Sequence, residues 1–197
     1  MRILRTVAFG YERWNRARKA GRAIAFSRKF RAETVLLIGC DASHAGVRNI
    51  SERMIAEALP NVTASGLEPD AGEWSRYIQA DGLDLPFEDG AFDFIYANAV
   101  LEHVGGAVEQ QQFMAEIDRV GASWMVTTPN RWFPIEAHHH ILFSHWRASW
   151  CPTPTGDVTR LVGRRELKRL APEATILGWP LASPTLTAVC ARQSRKS

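Results

Sequence analysis

Twice in this chain a short apolar strand runs directly into a polar loop. Phe92 to Tyr96 leads into Ala97-Asn98-Ala99-Val100-Leu101-Glu102-His103-Val104, and Ser123 to Thr128 leads into Pro129-Asn130-Arg131-Trp132-Phe133-Pro134-Ile135-Glu136. Open α/β sheets build their ligand crevices from such loops, at the carboxyl ends of the strands. An Asp-rich turn, Leu83-Asp84-Leu85-Pro86-Phe87-Glu88-Asp89-Gly90, feeds the first strand. Two such exits in 197 residues, a length that suits one domain with a sizeable core, predict a binding crevice and not only a packed interior.

The remaining pattern supplies the sheet and its helices. Thr34 to Ile38 is a continuous apolar run bounded by Gly39, which suits a strand buried on both faces. A helix is expected over 47–59, with Ile50, Met54 and Ile55 at helical spacing. A second strand spans 62–67 and ends at Glu68-Pro69; a short third spans 77–79 and ends at Asp81-Gly82. The stretch 109–120 reads as a helix with Phe113, Ile117 and Val120 on one face, and 159–170 as another. Two closing strands, 174–179 and 185–191, lie too close together for a parallel crossover and are expected to be antiparallel. The order β-α-β-β-β-α-β-α-β-β predicts the α/β class with a parallel core sheet.

Charge divides the chain. Met1 to Arg31 holds ten Lys/Arg and one acid, Glu12, for a net +9; the rest carries a net −6. The basic pI therefore belongs to an N-terminal helical arm, 1–32, ahead of a domain over 33–193 and a polar tail over 194–197. In the arm Ile3, Val7 and Trp14 share one helical face, with Leu4 and Tyr11 beside them and arginines around the rest. Such an arm can cap the crevice or pack on the domain, or it can lie on an anionic membrane surface. Specific nucleic-acid binding is disfavoured, because clustered arginines alone give only phosphate attraction and the remainder is acidic. Three scattered cysteines without a CxxC pair suit a reducing, cytoplasmic setting, with peripheral membrane association left open by the arm. His138-His139-His140 with His145 is a poor metal site, since adjacent residues cannot all face one ion and no cysteine or paired acid supports them; no metal is expected.

Several short pieces, in this order and spacing, resemble one family: Ala80-Asp81-Gly82 through Leu85-Pro86-Phe87, Phe92-Asp93, Leu101-Glu102-His103-Val104, Glu116-Ile117-Asp118-Arg119-Val120 and Thr128-Pro129-Asn130-Arg131. Together they are similar to the class I S-adenosylmethionine-dependent methyltransferases, in the branch acting mostly on small molecules, lipids and sugars. The resemblance covers roughly residues 34 to 192. It implies a Rossmann-like fold, a mostly parallel seven-stranded sheet with one antiparallel strand and helices on both faces, and S-adenosylmethionine as cofactor.

The resemblance also implies roles. Gly39 begins the loop that approaches the methionine part closely. Glu68 takes the place of the acid that accepts the two ribose hydroxyls. Asp81, with Gly82 beside it, matches the residue contacting the adenine amino group, and Asn98 is placed near the methionine end. The loop after the first strand departs from the family pattern: Leu37 replaces an acid, and Asp41 and Ser43 stand where glycines are usual. Asp41 brings a negative charge close to the expected cofactor carboxylate, with His44 or Arg48 available to pair with it. Glu136 and the following histidines, with His103, are expected on the acceptor side, and His103 or His138 is the candidate base for an oxygen acceptor. The expected activity is methyl transfer to a small-molecule, lipid or sugar-like acceptor. The alternative is a non-catalytic relative that kept the fold as a binding or scaffolding module, for which Leu37 and Asp41 speak.

Overall fold

The computed structural model describes residues 2–41, 49–70, 72–135, 143, 145–146, 150–152 and 158–192. Seven strands form one sheet: β1 (Val35–Ile38), β2 (Val62–Gly66), β3 (Tyr77–Gln79), β4 (Phe92–Asn98), β5 (Gly121–Pro129), β8 (Thr175–Leu177) and β9 (Thr185–Cys190). Their spatial order is β3-β2-β1-β4-β5-β9-β8. Only β9 opposes its neighbours, pairing antiparallel with both β5 and β8, as the close spacing of the last two strands required.

Alternation along the strands assigns the two faces. Leu36 and Ile38 of β1 and Ile95 and Ala97 of β4 point to one side. There they meet Phe113, Ile117 and Val120 of α3 (Ala107–Val120) and Leu167 of α4 (Arg164–Leu170). Val35, Leu37, Phe94 and Tyr96 point to the other, against α1 (Arg2–Lys29) and Ile55 of α2 (Ile50–Ala58). Burial on both faces is why β1 reads as an unbroken apolar run.

The arm packs on the domain through one face of α1. Trp14 is 55% exposed, and α1 turns Asn15, Lys19, Ala20, Ala23 and Ser27 to the domain. Ala20 and Ala23 are fully buried and small enough to bring the helix close to the sheet, where Phe26 meets Phe94 with ring centroids 5.5 Å apart. Shape, and not side-chain hydrophobicity alone, decides how closely a helix face approaches a flat sheet.

The expected helix over 159–170 is also only partly correct. Val158–Arg160 is strand β7, paired with β6 (Trp150–Pro152), and the helix starts after Gly163. Val158 and Thr159 are β-branched and suit a strand, while Leu161 and Val162 are buried in extended chain before the helix.

The Asp-rich turn is held by α3. Glu116 Oε2 accepts the Leu85 N–H at 2.9 Å, and Arg119 donates to the carbonyls of Leu85 and Phe87 and to Glu116 and Asp89. Two of the motifs quoted above are thus halves of one interaction. Arg119 holds the Glu116 carboxyl below its ordinary range. Its contribution to stability is therefore present above the ordinary glutamate pKa and lost as pH falls through the lower folded value. Arg119→Met is expected to free the 85–89 turn, seen as faster amide hydrogen exchange at Leu85 and Gly90; unchanged exchange there contradicts this reading.

Candidate functional site

The strand register brings the predicted residues to one edge. Ile38 pairs with Ser65 and with Ala97, and Gly66 pairs with Gln79. Gly39 and Asn98 therefore sit side by side at the ends of β1 and β4. Glu68 and Asp81 lie at matching positions, each two residues beyond the Gly66–Gln79 pair. The strand order reverses between β1 and β4, since β1 leads outward to β2 and β3 and the chain then returns to β4. Crevices of open α/β sheets form at such a reversal, outside the carboxyl ends.

Gly39 has φ +84°, and a Cβ there would lie 2.4 Å from Cγ2 of Val100 in the loop after β4. Its N–H and that of Cys40 both donate to the Ser65 carbonyl at 2.9 Å, which fixes the first turn of the loop. Glycine is required for both the backbone angle and the close approach.

Asp41 is engaged on the β2 side. Its Oδ1 accepts the Glu68 N–H at 2.9 Å and rests against Gly66, where a Cβ would come within 2.3 Å of it. The partners considered from sequence, His44 and Arg48, lie outside the described residues. The Tyr77 hydroxyl donates to the Glu68 carbonyl at 2.6 Å, and Gln79 Nε2 to the Leu67 carbonyl at 2.8 Å. Burial and the nearby Asp41 charge push the Tyr77 phenol up to about 12, so it stays a donor at neutral pH. The backbone of Glu68 is thus held from both sides while its residue stays exposed at the strand tip.

Asp81 is exposed and accepts the Leu83 N–H through Oδ1 at 2.9 Å. One of its two oxygens is committed to the local turn. Gly82 is backed by Phe113, whose ring would lie 2.8 Å from an added Cβ. His103 lies on the exposed turn after β4, its N–H donating to the Val100 carbonyl at 2.8 Å. Glu136 and His138 lie outside the described residues.

Asn98 is the centre of a buried polar network. Its Oδ1 accepts from Thr127 Oγ1 at 2.6 Å and from Lys19 Nζ at 3.1 Å. Its Nδ2 donates to Ser51 Oγ at 3.2 Å, and Ser51 donates to Glu52 Oε2 at 2.9 Å. Burial pushes the Glu52 carboxyl up. Next to Asn98, the loop after β4 buries Glu102, whose Oε2 accepts from Thr128 Oγ1 at 3.0 Å. Reading the sequence missed Lys19 and gave Glu102 no role of its own. Glu102 stood within the Leu101-Glu102-His103-Val104 motif, so a signal was present. Lys19 is one of ten cations in the arm and carried none.

Beyond β5, Asn130 donates through Nδ2 to the carbonyls of Trp179, Pro180 and Ser183, tying the two loops together. Trp146 packs edge-on against Trp132 and Phe143, and the Arg131 guanidinium lies 5.0 Å from the Trp132 ring centroid. Among the described residues no group of three or more His, Cys, Asp or Glu side chains could hold a metal ion.

Residues 32–123 match the family described as "Methyltransferase domain". A search of curated proteins finds no match. Among solved structures, the CcbJ methyltransferase from Streptomyces caelestis superposes with a TM-score of 0.60 at 14% identity, over 86% of this chain and 88% of that one. The 1,6-didemethyltoxoflavin-N1-methyltransferase of Burkholderia thailandensis, solved with its acceptor and S-adenosylhomocysteine, gives 0.55 at 15% over 87% and 78%. Magnesium protoporphyrin IX methyltransferase from Synechocystis PCC 6803, with bound S-adenosylmethionine, gives 0.54 at 12% over 91% and 79%. At these identities the likeness speaks for the fold. The family match over residues 32–123 and the strand order with its single antiparallel strand give the chain the Rossmann-like fold of the class I S-adenosylmethionine-dependent methyltransferases.

Proposed function

We propose that this protein binds S-adenosylmethionine at the β1/β4 edge and transfers its methyl group to a small-molecule, lipid or sugar-like acceptor. The observation that carries this is the row of Asp81, Glu68, Gly39 and Asn98 along one sheet edge at the reversal of strand order.

The residues fit the cofactor. Glu68 and Asp81 are exposed carboxylates at matching heights on adjacent strands, suited to accept from ribose hydroxyls and an adenine amine respectively. Gly39 and Gly82 are both closely backed by neighbouring side chains, and Gly39 has the backbone angle that lets the loop turn sharply. Of the departures in the loop after β1, Asp41 is the one that adds a charge, and the Glu68 N–H accounts for its carboxylate on the β2 side. Bound there, the cofactor supplies a methyl group on a sulfonium, a centre whose transfer depends chiefly on alignment.

The protein's share is to bind, orient and, where the acceptor demands it, take a proton. Asn98 orients the β1/β4 edge through its bonds to Lys19, Ser51 and Thr127. His103, on the turn after β4, is the candidate proton acceptor among the described residues; His138 is the second. The Trp132, Trp146 and Phe143 cluster beyond β5 forms the apolar wall for the acceptor. On the outward side of α1, Arg13, Arg18 and Arg22 are exposed with Trp14, which suits an anionic membrane surface. No helix among the described residues is long and apolar enough to cross a membrane.

Calorimetric titration with S-adenosylhomocysteine tests the reading. Saturable binding is expected with Kd in the range of about 1 μM to 1 mM typical of enzyme ligands. No heat at millimolar ligand overturns the enzyme reading and leaves the fold as a binding or scaffolding module.

A further inference from the structure

Lys19 is a buried cation brought from the arm to the crevice, and its position follows from named contacts. Ala20 and Ala23 seat α1 on the sheet, and this places Lys19 Nζ 3.1 Å from Asn98 Oδ1 at the end of β4, beside Gly39 in the strand register. An ammonium has three donors, and the bond to Asn98 uses one of them. Burial, with Arg16 next, pulls the Lys19 pKa down to about 8, against the opposing pull of Glu102 and Glu52; Arg18 lowers it further. A cation kept dry at this cost gains from an anionic ligand.

A second observation lies one turn earlier on the same helix face. Asn15 is nine-tenths buried, and its side-chain oxygen has no hydrogen-bond partner. Buried polar atoms are rarely left so, and an orphaned acceptor points to a missing donor. Residues four apart on a helix face stand next to each other. Asn15 and Lys19 therefore present one acceptor and one cationic donor together, the complement of an α-amino acid's ammonium and carboxylate.

We propose that Asn15 and Lys19 form a clamp for the amino-acid end of the cofactor, so that docking of α1 and cofactor binding are coupled. The clamp rests on the cofactor reading above.

The test compares S-adenosylhomocysteine with 5′-methylthioadenosine, which lacks the amino-acid end. Lys19→Met and Asn15→Leu are each expected to weaken S-adenosylhomocysteine binding about 10- to 100-fold while leaving methylthioadenosine within about twofold, and Lys19→Arg should recover most of the loss. Equal losses for the two ligands, or no loss for either, overturn the clamp. Wild-type protein alone supplies the second measurement, independent of how the variants fold. S-adenosylhomocysteine should slow amide hydrogen exchange across residues 13–29 more than methylthioadenosine does. Equal protection of α1 by the two ligands also overturns it. Should wild-type protein bind neither ligand, the cofactor reading itself falls.

Discussion

Glu68→Ala is expected to weaken S-adenosylhomocysteine binding by about 100-fold, or ~2.8 kcal/mol, with little change in thermal stability. The size follows from the role proposed for this carboxylate, accepting from ribose hydroxyls, a charged hydrogen bond being worth about 1.5–3 kcal/mol. The separation from stability is expected because the residue is exposed at the strand tip. The path of the β2 tip is set by bonds to the Glu68 backbone, the N–H on Asp41 Oδ1 and the carbonyl on the Tyr77 hydroxyl, and neither involves the Glu68 side chain. Glu68→Gln should lose less than alanine because one acceptor oxygen remains. Calorimetry of the three proteins beside a melting curve makes the comparison. An alanine variant that melts far below wild type, or that binds as tightly, shows that Glu68 serves the loop and not the ligand. Asp81 is a less clean probe, since one of its oxygens already holds the Leu83 N–H.

Gly39→Ala is expected to destabilise the fold by about 2–4 kcal/mol and to lower cofactor affinity with it. Two costs add. An alanine at φ +84° sits in the left-handed region, at about 1–2 kcal/mol. Its Cβ would also lie 2.4 Å from Val100 Cγ2, a contact that must be relieved by moving a stiff β-branched side chain or the loop that bears it. The two terms can be separated in a double-mutant cycle. Adding Val100→Ala should recover the steric part and leave the backbone part, so the pair is non-additive in denaturant midpoint. Full additivity would mean the Val100 contact carries no weight. The same alanine shifts the N–H groups of Gly39 and Cys40 off the Ser65 carbonyl, which is why affinity is expected to fall along with stability.

Much of the fold is written in short windows of the sequence. β1 and α3 appear as an unbroken apolar run and as a 3.6-residue period because each reports burial that the element meets along its own length. The candidate site was legible for a related reason. Gly39, Glu68, Asp81 and Asn98 each stand at the end of a strand, so locating the strands locates them, and a parallel sheet collects such ends at one edge. Asp41 was recognisable as a departure, but its partner was not. The Glu68 N–H reaches it only because β1 and β2 are neighbours, across 27 residues of chain.

The arm shows where this kind of reading stops. Among its described residues, the face turned to the domain is lined by Asn15, Lys19, Ala20, Ala23 and Ser27. Nothing within a helix of mixed arginine, alanine and aromatic residues marks Lys19 among its other cations. The contact with Asn98 spans 79 residues and depends on how closely two alanines allow a helix to settle on a sheet. The β6–β7 pair had the same difficulty, since Val158 to Arg160 is a strand by virtue of a partner and not of its own period. The sequence by itself determined the strands of the seven-stranded sheet, the helices α2 and α3 and which residues lie at the strand ends. The tertiary structure decided which face of α1 is buried and what it delivers to the crevice, because steric fit between surfaces distant in the chain leaves no periodic trace in either one.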